Sequence, residues 1–206
     1  MSAGWQSRRR LPHFDVPELI QHITFHLADS LPKSAIARMQ MEIAAMPESE
    51  RTLARRQRIQ ELLDSGLGRC VLREPACARI VQDSLLFGDG ERYRLLAWVI
   101  MPNHVHVLIE QMHGWPLAKV VQSWKRHTSR QIHRLGFGID APDVPEDADC
   151  KSAIPGLWHP DYWDRFIRND RHFLTAKHYI EENPVTAGLV SSAAAWPWGS
   201  ARLGAD

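Results

Sequence analysis

The stretch at residues 93–111, YRLLAWVIMPNHVHVLIEQ, constrains the fold more than any other part of the chain. Two runs of β-branched, aromatic and aliphatic residues, 93–101 and 105–109, flank the turn-forming pair Pro102-Asn103, so a β-hairpin is predicted with both strands central in a sheet. Strand side chains alternate between faces. His104 and His106 therefore project to one side, and Val105, Val107 and Ile109 to the other. Two neutral imidazoles one residue apart on a strand can share a divalent cation if a third ligand arrives from another element. The pair is equally compatible with two hydrogen-bonded histidines at a sheet end, and the motif alone does not separate the two readings.

Around the hairpin the pattern alternates between strand and helix. Residues 19–27, LIQHITFHL, alternate as a strand with Ile20, His22, Thr24 and His26 on one face, which puts His22 and His26 within reach of the imidazole pair. Residues 33–64 are rich in helix formers, broken at Pro47 and closed by Gly66 and Gly68, and read as an inserted helical hairpin (33–65) of no legible role. Pro75 then opens a helix on which Cys77, Ile80, Val81 and Leu85 recur at helical spacing. After the β-hairpin, Leu117, Val120, Val121 and Trp124 form the apolar stripe of another helix. Residues 162–168, YWDRFIR, read as a strand running into a helix capped near Asn169. Residues 1–17 are expected to be a flexible arm, and 136–156 an acidic, proline-containing loop insertion. The order predicts an α+β chain of one domain, 1–206, with a ferredoxin-like antiparallel β-sheet flanked by helices.

A formal net charge of +1 on 206 residues does not by itself mark a nucleic-acid binder. The charge is unevenly placed, however. Lys119, Lys125, Arg126 and Arg130 fall on one short helical stretch without an acidic residue, either as a phosphate-facing patch or as a solvated helix face. Three cysteines, Cys70, Cys77 and Cys150, cannot all pair and fit no zinc spacing, so free thiols in a reducing compartment are expected. No signal peptide and no apolar run of membrane length is evident, so the expected location is cytoplasmic with no membrane partner. Trp115, Trp124, Trp158, Tyr162, Trp163, Trp196 and Trp198 are candidates for base stacking, most of them expected to pack instead.

On the helix beginning near Asp170, Phe173, Ala176, Lys177 and Ile180 sit at core spacing, while Tyr179 and Asn183 share one face a turn apart. Pro184 is expected to end or bend that helix at Asn183. Spacing alone leaves two readings, a half-buried tyrosine with a C-terminal amide or a catalytic platform.

PNHVH at the start of a strand, WDRFIRN after it and YIEENPVTAGLV further downstream together resemble the single-tyrosine transposases of the HUH (His-hydrophobic-His) endonuclease superfamily. Within them the chain most resembles the REP-associated tyrosine transposases, from about residue 19 to residue 200. The resemblance implies Tyr179 as nucleophile and His104, His106 and Asn183 as ligands of a divalent metal, Mg²⁺ or Mn²⁺. It implies single-stranded or hairpin DNA as substrate, a 5′-phosphotyrosine intermediate with a free 3′-hydroxyl, and action as a monomer or homodimer. A phenol ionises near pH 10 and is a poor nucleophile unaided, which accounts for the need for a metal beside it. The helical hairpin and the acidic loop are additions to the minimal fold of that family. Two alternatives stay open: a non-catalytic palindrome-binding protein with the same fold, and a metal-dependent phosphodiesterase that uses water.

Overall fold

The computed structural model describes residues 5–8, 11–14, 18–137 and 156–204, with side chains from residue 18 onward. In chain order it contains β1 (Trp5–Arg8), β2 (Leu11–Phe14), β3 (Ile20–His26), α1 (Lys33–Ala44), α2 (Glu48–Asp64), α3 (Pro75–Phe87), β4 (Tyr93–Ile100), β5 (His104–Gln111), α4 (Leu117–Arg134), β6 (Trp163–Phe166) and α5 (Asp170–Thr186). Strands β3 to β6 form one antiparallel sheet in the order β4-β5-β3-β6. That is the ferredoxin-like arrangement, in which the first strand of the motif lies between the third and the fourth. The expected hairpin is β4–β5, closed by Pro102-Asn103, with the Met101 N–H donating to the His104 carbonyl at 2.8 Å.

The two faces of the sheet carry separate cores. Ile23, Phe25, Leu27, Val105, Val107 and Ile109 face α3 and α4, whose Val81, Leu85, Val121 and Trp124 are almost fully buried against them. Each such side chain taken out of water contributes about 1.5–3 kcal/mol. Trp124 donates through Nε1 to the Tyr93 hydroxyl at 2.8 Å, and that hydroxyl donates to the Leu85 carbonyl at 2.6 Å, so the two buried polar tips satisfy each other. On the opposite face α5 buries Ala176 and Ile180 against Ala97, Val99, Met101 and Leu108. This second face is the one that carries His104 and His106.

Several expectations are corrected. β4 is an edge strand rather than a central one; it is apolar because residues 196–200 run along its free side. The Ile100 N–H donates to the Trp198 carbonyl at 2.8 Å, Trp196 Nε1 donates to the Ile100 carbonyl at 3.0 Å, and Val99 bridges to Gly199. An edge so covered over residues 98–100 reads there like an interior strand. Residues expected as a flexible arm instead supply β1 and β2, paired with Trp5 opposite Phe14, with β2 beside β6. Pro12 is compatible with this because β2 needs only one paired side. The rest of 1–17, and the loop at 138–155 with Cys150, lie outside the described residues.

Pro184 does not end α5, which continues to Thr186. The helix is closed by Gly188 at φ +69°, with the Gly188 N–H on the Val185 carbonyl and the Leu189 N–H on the Pro184 carbonyl, both at 2.9 Å. This pair of bonds satisfies the last carbonyls two residues beyond the proline. Lys177 is not a core position; its side chain is 43% exposed and lies 4.0 Å from Glu181. Among the described residues no helix is long and apolar enough to cross a membrane.

Candidate active site

The β3–β5 register sets Thr24 opposite His106 and His26 opposite His104. His104 Nδ1 lies 2.8 Å from Oδ1 of Asn103, whose own amide nitrogen donates to the Leu67 carbonyl at 3.0 Å, so the imidazole is the donor and its proton sits on Nδ1. His106 Nδ1 lies 2.9 Å from the Thr24 hydroxyl, while its Nε2 receives the Gln60 amide at 3.3 Å. The network therefore gives both rings the same tautomer and sets the two unprotonated Nε2 atoms 3.1 Å apart, with the Gln60 amide also on that of His106. Two lone pairs do not bond to each other; a cation satisfies both. Nitrogens about 2.1 Å from one cation at right angles are about 3.0 Å apart, close to what is found here.

Burial keeps these rings neutral at physiological pH. Both rings are fully buried. Desolvation lowers His104 to about 3 and holds His106 well below 6.5, with the neighbouring His104 and His22 as smaller causes for His106. Neutral imidazole is the metal-binding form. Of the two further histidines on β3, His22 joins the cluster, its Nε2 3.1 Å from His106 Nδ1. His26 does not: its Nδ1 lies 2.6 Å from the Ser30 hydroxyl, and its ring is stacked between His159 and Trp163.

α5 brings Tyr179 and Asn183 to the same place. The Tyr179 ring centroid lies 5.4 Å from that of His106 and 5.9 Å from that of His22, and the residue remains 37% exposed. Asn183 is buried, its amide acts to lower the pKa of both the Tyr179 phenol and the Asp64 carboxyl, and its Oδ1 has no partner. An orphaned buried carbonyl oxygen beside two inward lone pairs fits a shared cation. Burial, and secondarily the Asp64 charge, push the Tyr179 phenol above its ordinary value, with the Asn183 hydrogen bond acting the other way.

Sequence reasoning missed Asp64. It ends α2, the second helix of the insertion, and places Oδ1 3.5 Å from His104 Nε2, its side chain 22% exposed. Ligand atoms of Asp64, His104 and His106 all lie within 4.8 Å of one another. Gln60, one turn earlier, donates to Asp64 at 2.7 Å as well as to His106. Nothing in the helix-forming pattern of 33–64 distinguishes these two residues from surface positions.

The basic residues of α4 stand apart from this cluster, since α4 packs on the other face of the sheet. Lys119, Arg126 and Arg130 are exposed there. Lys125 is placed differently: its ammonium donates to the carbonyls of His159 and Asp161 at 2.9 and 2.8 Å, fastening the segment before β6 onto α4. On the face of the imidazole pair, exposed Arg165 of β6 pairs with His22 across the sheet and, after desolvation, is the next cause lowering His22 to about 4. Trp124, Trp158 and Tyr162 are buried packing residues, whereas Trp115 is 37% exposed with Arg92 lying 4.8 Å over its ring. Cys70 and Cys77 are buried free thiols.

A REP-associated tyrosine transposase of Escherichia coli is 24% identical over 110 residues, 52% of this chain and 53% of its own. A Haemophilus influenzae protein of uncharacterized function is 32% identical over 99 residues, 45% of this chain and 54% of its own. The chain thus spans about half the length of the curated relatives it matches. The fold is that of a REP-associated tyrosine transposase solved bound to a REP hairpin, with a TM-score of 0.53 at 16% identity over 96% of this chain and 84% of that one. The family model described as "Transposase IS200 like" matches residues 87–183, which hold the β4–β5 hairpin, both inward imidazoles, Tyr179 and Asn183, and over that segment the chain is similar to the IS200-like transposases.

Proposed function

We propose that this chain is a metal-dependent single-strand DNA endonuclease and strand-transferase that acts on hairpin DNA through Tyr179. The observation that carries the reading is the convergence of two elements on one site: β5 with the two unprotonated Nε2 atoms, and α5 with the unpartnered Asn183 carbonyl and the Tyr179 phenol. His104, His106 and Asn183 would hold a divalent cation, Mg²⁺ or Mn²⁺ for a phosphate substrate, which would supply Lewis-acid polarisation of the scissile phosphate. Tyr179 is exposed enough to meet a strand and is anchored by ring contacts to His22 and His106. Its oxygen attacks phosphorus, the P–O3′ bond breaks, the proton the phenol loses to solvent is balanced by one that the departing 3′ oxygen takes up, and a 5′-phosphotyrosine and a free 3′-hydroxyl result. The raised phenol pKa means that the chain's own environment does not activate this nucleophile, in keeping with a cation requirement. Hairpin DNA as substrate is supported by the solved structural relative bound to a REP hairpin.

The test is incubation of the full chain with end-labelled hairpin oligonucleotides and Mn²⁺. A metal-dependent, SDS-resistant protein–DNA adduct is expected. Cleavage without an adduct would identify the water-using phosphodiesterase, and tight binding without either would identify a non-catalytic palindrome binder.

A further inference from the structure

The inserted helical hairpin ends at the metal site, and its last helical residue is a carboxylate in an unfavourable place. Asp64 closes α2, where the helix dipole disfavours negative charge, and the last turn of α2 contains no basic residue. Its side chain is 22% exposed, and its partners in the structure are the Gln60 amide, Asn183 and, at 3.5 Å, His104 Nε2. None of these supplies a positive charge, because Asn103 Oδ1 takes the Nδ1 proton of His104 and leaves a lone pair on Nε2. A mostly buried carboxylate with only neutral partners is costly unless a cation is shared with it.

Independent of Asp64, the Asn183 Oδ1 is buried without a partner. Gln60 points the same way: its one amide nitrogen serves both His106 Nε2 and Asp64 Oδ1, so a single donor already bridges an imidazole and the carboxylate. We propose that Asp64 is a direct ligand of the divalent cation, so that α1 and α2 exist in part to deliver a charged oxygen ligand to a site otherwise built from neutral donors. This rests on the metal-dependent reading above. Two imidazoles, one amide oxygen and one carboxylate oxygen form a harder and more negative set than the first three alone, which favours Mn²⁺ or Mg²⁺.

The experiment is metal titration of the full chain with Mn²⁺ and Co²⁺, without DNA, comparing the wild type with Asp64→Asn, Asp64→Cys and His104→Ala. Asp64→Asn keeps the shape of the side chain and its capacity to bond Gln60, and is expected to weaken Mn²⁺ binding at least about tenfold, since residues that merely orient ligands already act in that range. Asp64→Cys loaded with Co²⁺ is expected to gain a thiolate-to-cobalt charge-transfer band in the near ultraviolet that the wild type, with its buried Cys70 and Cys77, lacks. Unchanged Mn²⁺ affinity in Asp64→Asn, or weakened affinity with no such band in a folded Asp64→Cys, overturns the proposal and leaves Asp64 a positioning residue at most. A wild type that binds no metal at all overturns the metal-dependent reading itself, whereas loss of binding in His104→Ala alone leaves that reading standing and removes only Asp64.

Discussion

Asn103 Oδ1 stands 2.8 Å from His104 Nδ1, at the mouth of the β4–β5 turn, and by accepting that proton it turns the other ring nitrogen inward. The turn residue therefore sets the tautomer of the histidine that follows it. Replacing Asn103 by Ala removes this acceptor and the tie to the Leu67 carbonyl. Mn²⁺ affinity measured by titration is expected to fall by about 10–100-fold, the usual cost of losing the group that orients a histidine ligand. Unchanged affinity would show that His104 keeps its orientation through packing alone.

Tyr179→Phe removes only the phenolic oxygen and keeps the ring against His22 and His106. Cleavage and the covalent adduct are expected to vanish on denaturing gels, while hairpin binding by fluorescence anisotropy stays within a few-fold. Cleavage at the original rate would assign the attack to water.

Acid should unfold the protein through the site histidines. His22 is lowered from 6.5 to about 4 in the fold and His104 to about 3, and His26 and His106 are held well below 6.5, so each is neutral in the folded chain over a range where the unfolded chain is already protonated. Stability is therefore full above pH 6.5 and is lost as pH falls from 6.5 to about 4, at roughly 1.4 kcal/mol per pH unit for each such imidazole. Asp64, raised from 3.8 to about 6 mainly by desolvation, has the opposite slope, gaining stability as pH falls through that window. Four imidazoles outweigh one carboxylate. Urea midpoints between pH 7.5 and 4.5 should fall monotonically; a flat profile would contradict the neutral, buried state of the cluster.

The basic face of α4 and the imidazole face are separable by salt dependence. Each phosphate contact on single-stranded DNA contributes about 0.7 to the slope of log affinity against log salt. The double variant Arg126→Ala, Arg130→Ala is expected to flatten that slope by roughly 1.4 with the fold intact by circular dichroism. An unchanged slope would move the DNA to the imidazole face, where Arg165→Ala should then reduce it instead. Lys125→Ala is expected to act differently, costing about 1–3 kcal/mol of stability because its ammonium holds the carbonyls of His159 and Asp161.

Much of this arrangement was legible from period and punctuation. The alternation of 104–109 put both imidazoles on one face, the alternation of 19–27 put His22 beside them, and Asn169 announced the start of α5, where it accepts the His172 N–H at 2.9 Å. What was not legible depended on contacts between segments distant in the chain. β4 looked central because residues 196–200 cover its edge, a fact no local pattern encodes. Lys125 looked like its neighbours because a charge does not announce that three distant carbonyls will surround it. Asp64 was invisible because a helix-ending aspartate is ordinary until the insertion is folded back onto β5. Pro184 was misjudged for want of weighing Gly188, whose positive φ lets the helix close beyond it.

That uninterrupted helix has a mechanical consequence. Tyr179 and Asn183 ride on one rod with no hinge between them, since the turns before and after Pro184 are both helical and the rod closes only at Gly188. Rotation or withdrawal of α5 therefore carries both side chains by the same motion, and the phenol cannot swing away with its strand while the amide stays at the imidazoles.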